Sequence, residues 1–210
     1  MERLIEVVRQ AVRRVMRAVA RGVNTATAGK LHPDSVTIAG VLLHIPIALL
    51  IAYGSYWWLA GLLLVVFGLF DTLDGDLARL QNRVTNNGGF LDASTDRIKE
   101  VLLYSGAAYW FTQTSRPSDA VWAVAACGAS LCVSYVRAKG ETIFATQGKK
   151  SYADLNKQFR DGFMPFEVRM VLLIVGLLSG YLFWSVAIIA ILSAYTALDR
   201  MIRVSRALRS

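Results

Sequence analysis

Apolar positions fall along this chain in two rhythms. From Glu2 to Arg21 they alternate with basic residues at helical spacing. Leu4, Val7, Val8, Ala11, Val12, Val15 and Val19 share one face and arginines fill the other. This pattern predicts a helix lying on an anionic leaflet, with a solvated amphipathic helix as the alternative. From Val36 onward the alternation gives way to unbroken apolar runs of membrane-spanning length. They cover about Val36–Tyr53, Trp57–Leu77, Phe90–Phe111, Ala120–Val136, Val168–Gly180 and Leu182–Leu198, the last two joined so closely that they read as a hairpin. The expected fold is an all-α integral membrane protein, with six transmembrane helices preceded by an N-terminal amphipathic interfacial helix. Residues 1–31 would form that helix and its linker, and residues 32–210 the membrane domain.

Composition supports this reading. Apolar residues make up 55% of the 210, and the charges are segregated into a few segments. Tyr53, Tyr56, Trp57, Trp58, Tyr109, Trp110 and Trp184 cluster near span ends, as interfacial aromatic residues do. Lys and Arg concentrate in the N-terminal segment, the 78–89 loop, the 137–167 loop and the C-terminal tail. The opposite loops hold only Arg116. By the positive-inside rule both termini and the long polar loop are cytoplasmic. The net charge of +8 is therefore read as an orientation signal. Nucleic acid is not an expected partner, because no basic–aromatic platform accompanies the charge. Cys127 and Cys132 lie five apart inside an apolar run, which is not a zinc spacing.

Against this background the end of the second run stands out. WWLAGLLLVVFGLF is followed by DTLDGDLARLQNRVTNNGGFLDASTDR, which carries Asp71, Asp74, Asp92 and Asp96. A charge at bilayer depth costs roughly 2.5–3.5 kcal/mol on insertion scales, so carboxylates facing lipid are untenable. At about 100° per residue, Asp71, Asp74, Gly75, Ala78 and Arg79 fall within roughly 140° of one helix face. Gly88, Asp92 and Asp96 step by four along the next helix and also share a face. The short polar linker between them makes the two helices antiparallel neighbours. Clustered anions repel unless a cation sits among them, and oxygen-only ligands select a hard metal, Mg²⁺ or Mn²⁺. Taken alone, such carboxylates suit cation transport, proton relay or catalysis equally well.

Read in full, the spacing is Asp71-x2-Asp74-Gly75-x2-Ala78-Arg79-x8-Gly88-x3-Asp92-x3-Asp96. It resembles the signature of the CDP-alcohol phosphotransferase family at all eight motif positions. Pro33, Val36 and Thr37 before the first span also fit that family, although Asp34 stands where its members commonly carry Asn. The resemblance implies a phospholipid-synthesis enzyme that passes the phosphatidyl group of CDP-diacylglycerol to an alcohol and releases CMP. It implies two divalent ions held by Asp71, Asp74, Asp92 and Asp96, with Asp96 also serving as general base. Thr37, Asp71, Gly75, Ala78 and Arg79 would contact the CDP donor. A homodimer is expected by the same analogy.

The acceptor alcohol is read from basic residues on the later spans: Arg137 and Lys139 in YVRAKGE, Arg169 in PFEVRM and Arg200 in TALDRM. Converging cations suit a phosphate-bearing acceptor. YVRAKGE and TALDR resemble segments of prokaryotic phosphatidylinositol-phosphate synthases, which implies inositol 1-phosphate. Those enzymes tend to carry two arginines three apart before the fifth span, and here the first position is Phe166. Glycerol 3-phosphate and a neutral alcohol such as serine remain alternatives, and a cation transporter is the alternative from another class.

Overall fold

The structure is a computed structural model. It describes the backbone of residues 2–147 and 164–209 and the side chains of residues 14–68, 72–146 and 164–208. Every regular element among the described residues is helical. These are α1 (Glu2–Ala26), α2 (Pro33–Tyr53), α3 (Trp57–Leu80), α4 (Asn86–Thr112), α5 (Ala120–Gln147), α6 (Phe166–Ser179) and α7 (Leu182–Arg209), with a 3₁₀ turn at Pro117–Asp119 before α5.

Among the described residues four stretches are long and apolar enough to cross a membrane: Pro33–Tyr53, Trp57–Leu80, Pro117–Thr146 and Leu182–Leu208. The other two expected spans differ for separate reasons. α4 has the length, but Asp92, Asp96, Arg97, Lys99 and Glu100 fall between its start and just past its middle. α6 has only 14 residues. At 1.5 Å per residue it reaches about 21 Å, less than the ~30 Å hydrocarbon core.

α5 stays helical through Gln147, so the first part of the basic 137–167 stretch is helical and α5 ends close to where the long polar loop, 145–165, is expected to start. Phe144 is buried there against Val204, Ala207 and Leu208 of α7, so tertiary packing extends both helices beyond their apolar runs. Residues 148–163 lie outside the described residues.

The chain divides into two compact units, with boundaries inside α2, α3 and α4. Unit 1 comprises residues 1–47 and 62–99. Its apolar core is Met16 and Ala20 of α1 against Leu73 and Leu77 of α3, with Val23, Leu31 and Val36 packed around them. Burying a side chain of this size stabilises by roughly 1.5–3 kcal/mol. The residues of α1 that pack inward are thus not those of the expected apolar face. Met16 and Ala20 pack inward, while Val15 and Val19 stay exposed and Leu4 to Val12 lie outside the described side chains. Gln81 closes the other end of this packing, donating from Nε2 to Asn24 Oδ1 (2.9 Å) and to the Leu31 carbonyl (3.0 Å).

Unit 2 comprises residues 48–61 and 100–210. α5 and α7 pack together. Ala123, Ala126 and Ser130 of α5, and Ala187, Ala190 and Ser193 of α7, are all buried. Helices in lipid gain little from apolar contact alone, so small side chains that permit close backbone approach supply the packing. α6 and α7 form the expected hairpin. Gly180 ends α6 at φ +77°, a conformation that only glycine adopts without strain, and Gly176 lies against the Ser185 side chain.

Candidate functional site

Unit 1 contains an open cleft of about 180 Å³. The end of α3 supplies Asp74, Gly75, Ala78 and Arg79, and the start of α2 supplies Pro33, Asp34 and Thr37. Arg83, Val84 and Thr85 of the intervening loop, with Gly88, Gly89 and Asp92 of α4, complete the lining.

Local chemistry explains how the lining is set. Leu73 and Leu77 fasten one side of α3 to α1. Asp74 and Ala78, each one residue further on, are rotated by about 100° onto another face. Thr85 caps α4, its Oγ1 accepting from the Gly88 N–H at 3.0 Å. That cap sets the start of the helix on which Asp92 lies two turns of sequence later.

Asp74 is buried and held on both oxygens. Thr37 Oγ1 donates to Oδ2 at 2.6 Å, and the Gly75 N–H donates to Oδ1 at 2.6 Å. The Thr37 hydroxyl thereby orients a carboxylate, whether or not it also touches a ligand. Asp92 is exposed in the same cleft. Arg79 is exposed too, its Nη1 donating to Asp76 Oδ1 at 3.0 Å. Asp96 is not part of the cleft lining. Its Oδ1 accepts from Lys99 Nζ at 3.3 Å, and its Oδ2 lies 3.6 Å from Arg97 Nη2. The Asp71 side chain lies outside the described residues.

Among the described residues no three His, Cys, Asp or Glu side chains converge as a metal cage. Three carboxylates, Asp34, Asp74 and Asp92, do line the cleft, and two of them, Asp74 and Asp92, are the aspartates of the motif. That donor set fits Mg²⁺ or Mn²⁺, since hard cations of this kind are commonly bound by one or two carboxylates with ligand phosphates and water filling the remaining positions. The protein's own part is to hold the Asp74 oxygens in place.

The basic residues singled out in the sequence all belong to unit 2. Arg169 is 1% exposed. Its Nε and Nη2 donate to Glu100 Oε1 and Oε2 at 2.7 and 3.0 Å, and its Nη1 donates to the Met164 carbonyl at 2.7 Å. Arg200 is buried and donates from Nη1 to the Val133 carbonyl at 3.2 Å. It lies within electrostatic reach of the like charges of Arg137 and Arg169. Arg137 is exposed and donates to Glu141 Oε1 at 2.9 Å, and Lys139 is exposed on α5. Arg200 therefore stands near both Arg137 and Arg169, with Glu100, Glu141 and Asp199 as the neighbouring carboxylates, and Lys139 lies on its own side of α5.

Sequence reasoning passed over Arg83 and Thr85 in the cleft, although Thr-Asn-Asn-Gly before an apolar helix is an N-cap signal. It also passed over Glu100. The signal was present, since a carboxylate inside an expected span must find a cationic partner.

The family model for CDP-alcohol phosphatidyltransferase matches residues 30–198, and the chain belongs to that family. It is an enzyme of the transferase class and an integral membrane protein by its long apolar helices. It is similar to phosphatidylinositol phosphate synthase of Cutibacterium acnes, with 29% identity over 189 residues that cover 85% of this chain and 87% of the relative. Similarity to archaetidylinositol phosphate synthase of Methanothermobacter thermautotrophicus is 31% over 186 residues, or 85% of this chain and 86% of that one. The fold superposes on the crystal structure of Mycobacterium tuberculosis phosphatidylinositol phosphate synthase with CDP-DAG bound. The TM-score is 0.76 at 25% identity, covering 91% of this chain and 94% of that one.

Proposed function

We propose that this protein transfers the phosphatidyl group of CDP-diacylglycerol, or of a similar CDP-linked lipid, to the hydroxyl of inositol 1-phosphate and releases CMP. The names of its relatives support the reaction. The single observation that carries the choice of acceptor is the buried Arg200 standing near Arg137 and Arg169. A neutral alcohol has no use for a buried arginine that feels the like charges of two others, whereas a phosphate monoester does.

In this reading the cleft of unit 1 takes the donor. Gly75 and Ala78 let the nucleotide approach the α3 backbone, Thr37 and Arg79 contact it, and Asp71, Asp74, Asp92 and Asp96 serve the metal ions. When bound, two divalent ions neutralise the diphosphate and stabilise the departing CMP. Asp96 takes the proton of the acceptor hydroxyl as its oxygen bonds to the lipid-bearing phosphorus. The bond from that phosphorus to the CMP oxygen breaks, and CMP leaves with the electron pair. Arg137, Lys139, Arg169 and Arg200 hold the acceptor's phosphate. The chain acts in the cytoplasmic membrane with six spans, residues 32–210 forming the catalytic domain. Both termini and the site face the cytoplasm, α1 lies on the leaflet, and the enzyme works as a homodimer.

The deciding experiment is CMP release by purified protein from one donor with a panel of acceptors. Metal-dependent release with inositol 1-phosphate, and little with glycerol 3-phosphate or serine, is the expected result. Equal turnover of serine would refute the phosphate-bearing acceptor. No release with any alcohol would refute the reaction itself.

A further inference from the structure

The geometry points to Glu100 as a positioning residue. We infer that it presents the Arg169 guanidinium to the acceptor phosphate, an inference that rests on the reading of Arg169 as a phosphate contact. A guanidinium carries five N–H donors in a rigid planar fork. Glu100 takes the side edge, one oxygen on Nε and the other on Nη2, at 2.7 and 3.0 Å. The Met164 carbonyl takes a third donor, on Nη1 at 2.7 Å. These contacts take three of the five donors and leave one N–H on each terminal nitrogen for phosphate oxygens.

Both partners are sealed from solvent, Glu100 at 0% and Arg169 at 1% exposure. The long arginine side chain is therefore held in one rotamer, and one orientation of its plane, before any ligand arrives. Ordering such a side chain at the moment of binding would cost affinity, so fixing it in advance improves binding of the acceptor selectively. A carboxylate does this better than a neutral acceptor, because it offers two oxygens in the plane of the fork and compensates a charge that would otherwise be buried alone. The structural partners come from distant parts of the chain, Glu100 from α4 and Met164 and Arg169 from the segment that opens α6.

The test compares Glu100→Gln and Glu100→Asp in the full-length enzyme, reading KM for inositol 1-phosphate, KM for CDP-diacylglycerol and the thermal midpoint. Gln can accept on only one side of the fork. The acceptor KM should rise on the order of tenfold while the donor KM stays within about twofold. Asp keeps the charge and should recover part of the loss; if the Gln variant does not fold, Asp carries the same comparison with a smaller rise. Equal changes in both KM values, or a lowered thermal midpoint with neither KM changed, would overturn the positioning role and leave a purely structural pair. Arg169→Lys separates the two layers of the argument. If Lys leaves the acceptor KM unchanged, the phosphate contact itself is wrong; if Lys raises it and neither Glu100 variant does, only the positioning role falls.

Discussion

The two units solve opposite electrostatic problems. The cleft of unit 1 displays most of its charged groups: Asp92, Arg79 and Arg83 are exposed there and only Asp74 is buried, held by Thr37 and Gly75. Unit 2 buries three of its charges, Glu100, Arg169 and Arg200, and makes the Glu100–Arg169 pair bidentate, while Arg137 and Lys139 stay exposed. Exposed carboxylates can wait in water for a cation and a charged ligand to arrive. Buried guanidiniums cannot wait, because removing a charge from water costs several kcal/mol unless a partner is already in place. Variants in the first region should therefore affect chemistry and leave stability nearly intact, and variants in the second should affect both.

The largest effect expected is on turnover. Asp96→Asn should lower CMP release by about 10²–10⁴-fold if the carboxylate is the general base, with the thermal midpoint little changed. Chelation of divalent ions should stop release altogether and be reversed by added Mg²⁺ or Mn²⁺. The contrast between units is sharpest in stability. Glu100→Ala leaves Arg169 buried without its counter-ion and should cost about 3–5 kcal/mol, seen as a lower unfolding midpoint. Asp92→Asn, in the open cleft, should leave that midpoint nearly where it was; comparable losses from the two changes would break the comparison. A smaller effect is expected from Thr37→Val, which deletes the 2.6 Å hydrogen bond to Asp74. The donor KM should rise about tenfold while the acceptor KM holds. Smallest is Thr85→Ala, where loss of the α4 cap should cost about 1 kcal/mol of stability in a denaturant titration.

Much of unit 1's cleft was legible in the chain because its determinants are local. Asp74, Gly75, Ala78 and Arg79 sit together through helical periodicity alone, as do Gly88 and Asp92, and a short linker joins the two helices. Thr37 was legible only as a motif position. Its hydrogen bond to Asp74, across 37 residues, depends on how α2 and α3 lie in the folded unit. Arg83 and Thr85 were present as polar loop residues without anything to show that they would line the cleft.

What the sequence determined by itself was the all-helical membrane class, the family and the spacing of the aspartates, since each follows from runs or repeats within a few turns of chain. Only the tertiary structure decided that Glu100 would grip Arg169, that Phe144 would extend α5 and α7 by packing on Val204, and that Met16 and Ala20 would turn inward while Val15 and Val19 stayed outside. Burial and charge pairing are properties of surfaces brought together from distant segments. Periodicity reports which face a residue occupies, and packing alone reports what that face meets.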